Sequence, residues 1–471
     1  MTGIVFLLTQ LVAVPYADTV AQLDRLNDEP ELHRAVLAMT VHSLKTGEII
    51  YEHNANKLLL PASTQKLITA AAALDVLGGK RTFVTRWQAD APIATGHLAG
   101  DLYWVGGGDP SLGDPDPWET LRASARALKA GGLRQVDGRL VVDTSIFAAP
   151  GWGQGWAWDD LVEDYAAPVS GLPLGRNAVP IAVEPAPGAG QSVQASTPMP
   201  ECLPLRVDAV TRGPMSDTAL LPLSLFRGDG VTTQVVGEIM TNAPARTLAA
   251  TMPDPARCAG LLAQSALAAS GIIVTGGIDV ATSPTPAHAH TLYAVTSPPL
   301  ADLLRVMLKD SVNIYAEAIA RQLDERPSGK TFAAARVAIE GVLRRAAVAP
   351  DAYRLIDGSG LSRYNRITAT AQVRLLRWVW GQSWRNEFVA MLPVAAVDGT
   401  MRNRGIGGPA ARVVSAKTGS MSGVLALAGY LITASGEPLA FAMMSEGVAQ
   451  PGSVIQRLQD QALEILVSAK R

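Results

Sequence analysis

The chain has 471 residues, of which 48% are hydrophobic and 17% are charged, and its formal net charge is -2. This length predicts about two to four domains, and the hydrophobic share excludes a disordered chain. The balanced charge, without any cluster of Lys or Arg, excludes a typical nucleic-acid-binding protein, because such proteins carry dense positive charge.

The first segment, residues 3–17, is short and apolar (GIVFLLTQLVAVPYA). It has the length of the hydrophobic part of a secretory signal peptide and is too short to span a bilayer. Ala17 or Ala21 would end the cleavage site, so residues 1–21 are predicted as a possible signal peptide. No Lys or Arg precedes the apolar run, and the alternative is an ordinary buried first segment. No later stretch has the pattern of a membrane span.

A strand pair and a helix are predicted near the start of the chain. Residues 36–53 have the pattern of two strands around a turn at residues 45–47 (Lys-Thr-Gly). Strong helix formers and an apolar face predict a helix from Ser63 to Leu77, and Gly78 follows as its end. Ser63 therefore lies where a loop turns into a helix.

The middle of the chain has a different character. Residues 86–286 contain short β-like runs that alternate with turns rich in Gly, Pro and Asp, which predicts one or two β-rich domains. A helical pattern returns at about residue 300 and again over residues 371–380.

The end of the chain predicts a second hairpin and a closing helix. Residues 413–433 and 438–446 are strand-like runs with a turn signal between them, and residues 456–469 form an amphipathic helical pattern. We expect both hairpins to share one sheet that helices cover. The fold class is then α/β (α+β), with an antiparallel sheet in a discontinuous domain of residues 22–85 and 287–471.

Three short motifs stand in order along the chain: residues 63–66 (SxxK), 311–313 (SxN) and 417–419 (KTG). Each one alone arises by chance, and its ordinary interpretation is a helix cap, a turn or a hairpin. Together, in this order and on these predicted elements, they indicate an enzyme that transfers acyl groups through a nucleophilic serine.

The first motif supplies a nucleophile and a base. Residues at i and i+3 lie on one face of a helix, so Lys66 can reach the hydroxyl of Ser63. A lysine takes a proton only when it is neutral, which requires burial or a second cation such as Lys417. The backbone N–H groups of Ser63 and Ser420 are candidates for the oxyanion hole.

The other two motifs supply a proton donor and a binding site. Ser311 and Asn313 alternate along a short loop, where Ser311 can pass a proton to the leaving amine and Asn313 can hold the substrate amide. Lys417 and Thr418 suit a terminal carboxylate. Gly419 would leave room for the substrate to approach the strand.

Two cysteines, Cys202 and Cys258, either form one disulfide or remain two buried thiols, and their spacing does not decide between these states. The six histidines are scattered, and His288 and His290 lie in a Pro-rich stretch typical of a loop. No metal and no cofactor are predicted.

With these motifs in place, the chain resembles the penicillin-binding D-Ala-D-Ala carboxypeptidases/endopeptidases of low-molecular-mass class C. The long gap between Ser63 and Ser311 is similar to that family's insertion of extra domains. Four further stretches are also similar to the family, at residues 106–112 (GGGDPSL), 156–177, 357–365 (DGSGLSRYN) and 397–404. The resemblance implies a transpeptidase/β-lactamase-like domain interrupted by inserted β-rich domains.

The resemblance also implies an activity and its partners. Ser63 would be acylated by the penultimate D-alanine of peptidoglycan stem peptides that end in D-Ala-D-Ala, or of their cross-links, and water would release the product. β-Lactams would acylate the same serine. The location that the resemblance implies is periplasmic or otherwise extracytoplasmic. Asp160, Arg363 and Tyr165 fit positions that bind a diaminopimelic side chain in the family. Their alternatives are a surface ion pair and a packed aromatic ring.

Other functions remain open at this point. A β-lactamase would share the three motifs and differ in deacylation, and a non-catalytic wall-binding or β-lactam-binding module would share the fold. If the chain were an esterase that acts on unrelated acyl groups, its substrate would carry no obvious carboxylate for Lys417 to bind. The sequence does not decide between carboxypeptidase and endopeptidase preference, nor does it give the oligomeric state.

Overall fold

The computed structural model describes residues 16–30, 33–213 and 219–470. Within these ranges the α-helices are α1 Ala17–Asn27, α2 Lys66–Val76, α3 Pro117–Ala130, α4 Pro255–Ala269, α5 Leu300–Lys309, α6 Asn313–Gln322, α7 Phe332–Arg345, α8 Ala369–Trp380, α9 Arg385–Met391 and α10 Gly452–Val467. Three short 3-10 turns matter for the site: Ala62–Gln65, Asp160–Val162 and Asp164–Ala166.

The strands in the same ranges are β1 Val36–Ser43, β2 Ile49–His53, β3 Val84–Ala89, β4 Ile93–Ala94, β5 His97–Leu98, β6 Leu102–Val105, β7 Gln135–Val136, β8 Leu140–Asp143, β9 Ala178–Glu184, β10 Gln194–Ser196, β11 Leu205–Val207, β12 Val210–Arg212, β13 Ser224–Phe226, β14 Thr233–Val236, β15 Glu238–Met240, β16 Arg246–Thr251, β17 Ile273–Val274, β18 Ile278–Val280, β19 His290–Thr296, β20 Tyr353–Arg354, β21 Arg366–Ile367, β22 Val414–Met421, β23 Val424–Ile432 and β24 Pro438–Glu446.

The chain divides into two compact units. The first unit consists of residues 1–64, 346–353 and 367–471, and the second unit consists of residues 65–345 and 354–366. The division between them first passes between Thr64 and Gln65, inside the SxxK motif.

The first unit contains an antiparallel five-stranded sheet in the order β2-β1-β24-β23-β22. Val41 of β1 pairs with Phe441 of β24, so the hairpins from the two ends of the chain share one sheet, as the sequence predicts. Helix α10 packs on β23, and α8 contacts β1 and β24. The core includes Val41 and Phe441, with Leu463 of α10 against them. The mixed α/β fold and its antiparallel sheet are thus confirmed.

Two predicted elements are each divided in the structure. The strand-like run of residues 413–433 forms two strands, β22 and β23, because a turn at Ser422 and Gly423 separates them and Gly423 has a φ of 74°. The helical pattern after residue 300 forms α5 and α6, with Ser311 at a φ of 60° between them. A left-handed residue cannot continue a right-handed helix, so the chain changes direction at the SxN motif.

The second unit combines helices and several small sheets. Helices α2 and α6 contact each other, and each of them also contacts α5 and α7; α3 contacts α4. The larger sheets have the orders β18-β8-β6-β3-β19 and β17-β7-β5-β4. Trp87 of β3 and Trp104 of β6 are buried and stack at 5.0 Å between ring centroids. The predicted borders of an insertion at residues 86 and 286 do not coincide with the borders of this unit and stay a prediction.

Cys202 and Cys258 form a disulfide within the second unit, with their Cα atoms 5.1 Å apart. Both residues are buried, and Cys258 lies in α4. The structure therefore selects one of the two states that the sequence left open.

The possible signal peptide, residues 1–21, falls mostly outside the described residues. The described part begins at Tyr16, and α1 follows from Ala17, with Leu23 buried in the core of the first unit. Among the described residues, no helix has the length and apolar character needed to cross a membrane.

Candidate active site

Ser63 lies in the 3-10 turn that leads directly into α2. The preceding residue, Ala62, is fully buried and has a φ of 45°, a left-handed conformation that is uncommon outside glycine. Thr64 Oγ1 donates to the carbonyl oxygen of Pro61 at 2.7 Å and accepts from Gln372 Nε2 at 2.7 Å. These contacts, all within the first unit, fix the backbone on both sides of the partly exposed Ser63.

Strand β22 brings the KTG motif against this turn. A Cβ atom added to Gly419 would lie 2.8 Å from the carbonyl oxygen of Pro61 and 3.1 Å from the backbone nitrogen of Ser63. The residue before Ser63 and the strand thus approach each other as closely as a glycine permits. The sequence assigned the missing side chain of Gly419 to the approach of a substrate, whereas the structure places the chain's own serine turn in that space.

The other residues of the KTG motif differ in exposure. Lys417 is fully buried and its Nζ donates to the carbonyl oxygen of Thr418 at 2.7 Å. Thr418 is half-buried, and its hydroxyl donates to Thr400 Oγ1 at 2.7 Å. Ser420 is exposed. Thr400 belongs to the stretch 397–404 that resembles the family, so this stretch orients the hydroxyl of the motif.

Lys66 begins α2 in the second unit and is fully buried. Its Nζ donates to Asn313 Oδ1 at 2.5 Å and to the carbonyl oxygen of Ser359 at 2.8 Å. Burial lowers the pKa of Lys66 to about 7, against the opposing effect of the nearby carboxylates Asp357 and Glu317. A neutral amine has two N–H groups for two such acceptors and a lone pair that can take a proton, which is the state that a base requires.

Asn313 joins two other parts of the second unit to Lys66. It is the first residue of α6, not a loop residue as the sequence predicted, while Ser311 does lie in the turn before it. Its Nδ2 donates to the carbonyl oxygen of Tyr165 at 2.8 Å, which directs its Oδ1 toward Lys66. The SxxK and SxN motifs therefore meet through a lysine and an asparagine that are 247 positions apart.

Glu317, one turn after Asn313 on α6, supports the loop that holds Lys66. Its Oε1 accepts the backbone N–H groups of Gly358 at 2.9 Å and Ser359 at 2.8 Å. Thr69 of α2 donates to the carbonyl oxygen of Gly358 at 2.6 Å. Glu317 is buried, and burial with Asp357 nearby raises the pKa of its carboxyl group well above the ordinary value. Both faces of the Gly358–Ser359 segment are thus held by helices.

Asp357 closes the loop of residues 357–365 on itself. Its carboxylate accepts four hydrogen bonds of 2.6 to 2.9 Å, and the donors are Trp156 Nε1, Asn365 Nδ2 and the backbone N–H groups of Gly360 and Ser362. Four donors of this kind stabilise a buried carboxylate. The hydrogen bond from Trp156 to Asp357 also attaches the segment that carries Asp160 and Tyr165 to the loop of residues 357–365.

The three residues assigned to a diaminopimelic side chain lie near this loop. Tyr165 Oη donates to Asp160 Oδ1 at 2.7 Å, and burial together with Asp160 raises the pKa of Tyr165, which keeps the hydroxyl protonated. Arg363 is half-buried and its backbone N–H donates to the carbonyl oxygen of Gly155 at 3.0 Å. Within the described residues, no ion pair joins Asp160 to Arg363, and the roles of these three residues stay a prediction.

Glu317 and Ser359 were not identified from the sequence. The carbonyl oxygen of Ser359 accepts a hydrogen bond from Lys66, and Glu317 holds the backbone of Ser359 in place. Glu317 lies four positions after Asn313, a spacing that places both on one helical face. The stretch DGSGLSRYN, residues 357–365, is similar to the family, but the sequence predicts a role only for Arg363 in it. Along the chain as far as the structure describes it, no group of three or more His, Cys, Asp or Glu could hold a metal ion.

Comparison with known proteins gives a consistent set of relatives. Residues 19–466 match the D-Ala-D-Ala carboxypeptidase 3 (S13) family. The chain is 35% identical over 453 residues to a D-alanyl-D-alanine carboxypeptidase of Actinomadura sp. (strain R39), covering 91% of this chain and 81% of the relative. It is 29% identical to the D-alanyl-D-alanine carboxypeptidase DacB of Haemophilus influenzae, covering 86% and 84%.

Solved structures agree with these relatives. The crystal structure of penicillin binding protein 4 (dacB) from Haemophilus influenzae matches with a TM-score of 0.84 and 26% identity over 94% of this chain and 99% of that chain. A structure of the same protein complexed with a β-lactam matches with a TM-score of 0.78 and 25% identity, covering 94% and 98%.

Proposed function

Because the chain belongs to the D-Ala-D-Ala carboxypeptidase 3 (S13) family, we propose that it is a serine-type D-Ala-D-Ala carboxypeptidase that also acts as a DD-endopeptidase. Its substrates are peptidoglycan stem peptides that end in D-Ala-D-Ala, or their cross-links. The observation that carries this proposal is the buried Lys66, whose Nζ donates to Asn313 and whose lowered pKa suits a base.

In the first half of the reaction, Ser63 Oγ attacks the carbonyl carbon of the penultimate D-alanine. Neutral Lys66 takes the hydroxyl proton, an ester bond forms to Ser63, and the peptide C–N bond breaks. The terminal D-alanine leaves as an amine after it receives a proton through Ser311. The backbone N–H groups of Ser63 and Ser420 stabilise the oxyanion of the tetrahedral intermediate.

In the second half, water attacks the ester carbonyl and Ser63 regains its proton as the shortened peptide leaves. Before acylation, Asn313 holds the peptide amide of the bound substrate, while Lys417 and Thr418 bind the carboxylate of the terminal D-alanine that later leaves. No metal or cofactor takes part in these steps. A β-lactam carries a carboxylate and a strained amide, as the D-Ala-D-Ala end carries a carboxylate and a peptide bond. A crystal structure of the Haemophilus influenzae relative contains a bound β-lactam. We infer that β-lactams acylate Ser63 of this chain.

The specificity for a diamino acid would come from Asp160, Tyr165 and Arg363. The carboxylate of Asp160 is oriented by the Tyr165 hydroxyl at 2.7 Å, and this supports a role in binding the amine of a diaminopimelic side chain. Arg363 would bind the carboxylate at the same end of that side chain.

An extracytoplasmic location, such as a periplasm, is part of the proposal. The disulfide between Cys202 and Cys258 supports it, because disulfides persist in oxidising compartments and are rare in the cytosol. The substrate itself is a polymer of the cell wall.

The test is acylation by benzylpenicillin, read as intact mass, for the native chain and for Ser63→Ala. We expect one stoichiometric adduct on the native chain and none on the variant. Absence of an adduct at both short and long times would contradict the proposal. Rapid hydrolysis of the antibiotic without an adduct would instead indicate a β-lactamase.

A further inference from the structure

An open polar cleft of about 680 Å³ lies within the second unit, lined by none of the residues assigned to catalysis. Its walls come from the start of β3, the segment after β8, and the loop between α6 and α7. The charged residues of the lining are four cations and two carboxylates: Arg81, Arg86, Arg326, Lys330, Asp143 and Glu325. The cleft therefore carries a positive excess in a chain whose net charge is -2.

Lys330 lies close enough to Arg81 and Arg326 to feel their positive charge. It is half-buried, and burial lowers the pKa of its amine; the carboxylate of Asp324 opposes that shift, while Arg81 and Arg326 add to it. The Nζ of Lys330 donates to the carbonyl oxygen of Asp324 at 2.5 Å, a neutral acceptor. A cluster of like charges costs free energy, and Asp324 offsets part of that cost for Lys330 and Arg326.

Two of the three carboxylates at or beside the cleft, Asp143 and Asp324, have partners of their own, and the third, Glu325, is exposed. Asp143 is buried, and its two oxygens accept hydrogen bonds from Ser145 and from the backbone and hydroxyl of Thr285 at 2.5 to 2.9 Å. Asp324 is buried and binds Arg326 through both oxygens at 2.6 to 3.1 Å, which lowers the pKa of Asp324 to about 2. Among the residues that the structure describes, neither carboxylate forms an ion pair with Arg81 or Arg86.

The other two arginines that line the cleft, Arg81 and Arg86, are exposed. Arg86 lies on β3, and its Nη1 donates to the carbonyl oxygen of Val84 at 3.3 Å. The backbone of Arg81 is fixed, since its N–H donates to Gly78 and its carbonyl accepts from Leu300. A guanidinium on a rigid backbone is suited to bidentate binding of a carboxylate.

We propose that this cleft is a second binding site, separate from the catalytic residues, for the carboxylate groups of a peptidoglycan stem peptide. The volume suits a short polar segment, and the rims of Arg, Gln, Ser and Thr offer donors to it. This inference rests on the proposed function, because that function makes a polymer with many carboxylated stem peptides the substrate. A second contact of this kind would raise the affinity for the polymer and leave the affinity for a short peptide unchanged.

The experiment compares Arg81→Glu/Arg86→Glu with Arg126→Glu/Arg257→Glu. The control pair makes the same charge change at exposed arginines on α3 and α4, outside the cleft lining. Each protein is sedimented with purified sacculi from which phosphate-bearing polymers have been removed. Release of D-alanine is then measured from sacculi and from a soluble pentapeptide, and thermal unfolding is recorded for both variants.

We expect the cleft variant to bind stripped sacculi about tenfold more weakly than the control, with a matching rise in KM on sacculi. The rate on the pentapeptide and the unfolding temperature should equal those of the control. Equal sedimentation of both variants, an equal loss on the pentapeptide, or a difference seen only when phosphate polymers are retained would each overturn the proposal. If no variant releases D-alanine, the proposed activity fails, while sedimentation still tests the cleft.

Discussion

Glu317 Oε1 accepts the backbone N–H of Ser359 at 2.8 Å, and the carbonyl oxygen of the same Ser359 accepts from Lys66 Nζ at 2.8 Å. One residue of the loop thus connects a buried carboxyl group to the candidate base. Glu317 acts on Lys66 in two ways, by fixing the position of an acceptor and by its charge, which raises the pKa of Lys66.

The rate of acylation by benzylpenicillin should rise with pH through about 7, where Lys66 loses its proton. In Glu317→Gln the amide oxygen can still accept both backbone N–H groups, so only the charge is lost. Because the charge of Glu317 raises the pKa of Lys66, its removal should move the acid limb of the profile to lower pH. Asp357 and Arg321 also face Glu317 and remain in the variant. The measurement is the second-order acylation rate between pH 5 and 9.

The matched control is Glu340→Gln, the same change on α7 of the second unit, at a partly exposed glutamate that pairs with Arg336. Its acid limb should coincide with that of the native chain. A limb that stays in place in Glu317→Gln, or one that moves to higher pH, would exclude a role of this charge in setting the protonation of Lys66.

Gly419→Ala should lower both stability and acylation. The added methyl group would meet the carbonyl oxygen of Pro61 at 2.8 Å and the nitrogen of Ser63 at 3.1 Å, so the strand or the serine turn must shift. We expect a loss of about 1–3 kcal/mol in the free energy of unfolding. Acylation should slow by about 10- to 100-fold, since small displacements of reacting groups are costly.

Gly452→Ala serves as the control for Gly419→Ala. It lies at the exposed start of α10, where a Cβ would make ordinary contacts of 3.7 Å with Leu425. Urea unfolding and acylation kinetics of both variants give the comparison. Native rates in Gly419→Ala would mean that the close approach of β22 has no bearing on the nucleophile.

Asp160→Asn should lower the activity on some substrates and leave the reaction with others unchanged. The amide oxygen can still accept from Tyr165, so the local geometry is kept while the negative charge is removed. We expect kcat/KM for peptides with a free amine on the diamino acid to fall by about tenfold or more, and acylation by benzylpenicillin to stay unchanged. Asp159→Asn, at the exposed neighbouring position, should leave both unchanged. An equal effect on both substrates would contradict a specificity role.

Replacing both Cys202 and Cys258 by alanine should destabilise the second unit. The disulfide closes a loop with a sequence separation of 56, for which chain entropy gives about 4 kcal/mol. Thermal unfolding with and without a reductant checks this, because only the native chain should lose stability on reduction. A native unfolding temperature in the double variant would show that the loop is held without the bond.

The sheet and the site motifs were accessible from sequence because they depend on local patterns. Alternation and turn residues predicted β1, β2 and β24, and helix formers predicted α2. The division of residues 413–433 was missed because serine and glycine at 422–423 interrupt an otherwise continuous apolar run. Periodicity alone does not separate one long strand from a tight hairpin.

The contacts around Lys66 were not accessible in the same way. Its acceptors, Asn313 Oδ1 and the carbonyl of Ser359, lie 247 and 293 positions away, and one of them is backbone that no residue type reveals. The disulfide depended on a distance of 5.1 Å between Cα atoms, which spacing along the chain does not determine.

The left-handed backbone of Ser311, at a φ of 60°, has a consequence for how such a chain would change over generations. A side chain at this conformation costs about 1–2 kcal/mol relative to the ordinary helical region, and glycine or asparagine relieves that cost. Serine is therefore a costly residue type at position 311. Given the role in proton transfer proposed for Ser311, descendants released from selection for that step should acquire glycine or asparagine at position 311 early. That exchange would mark a lineage that keeps the fold after losing the reaction.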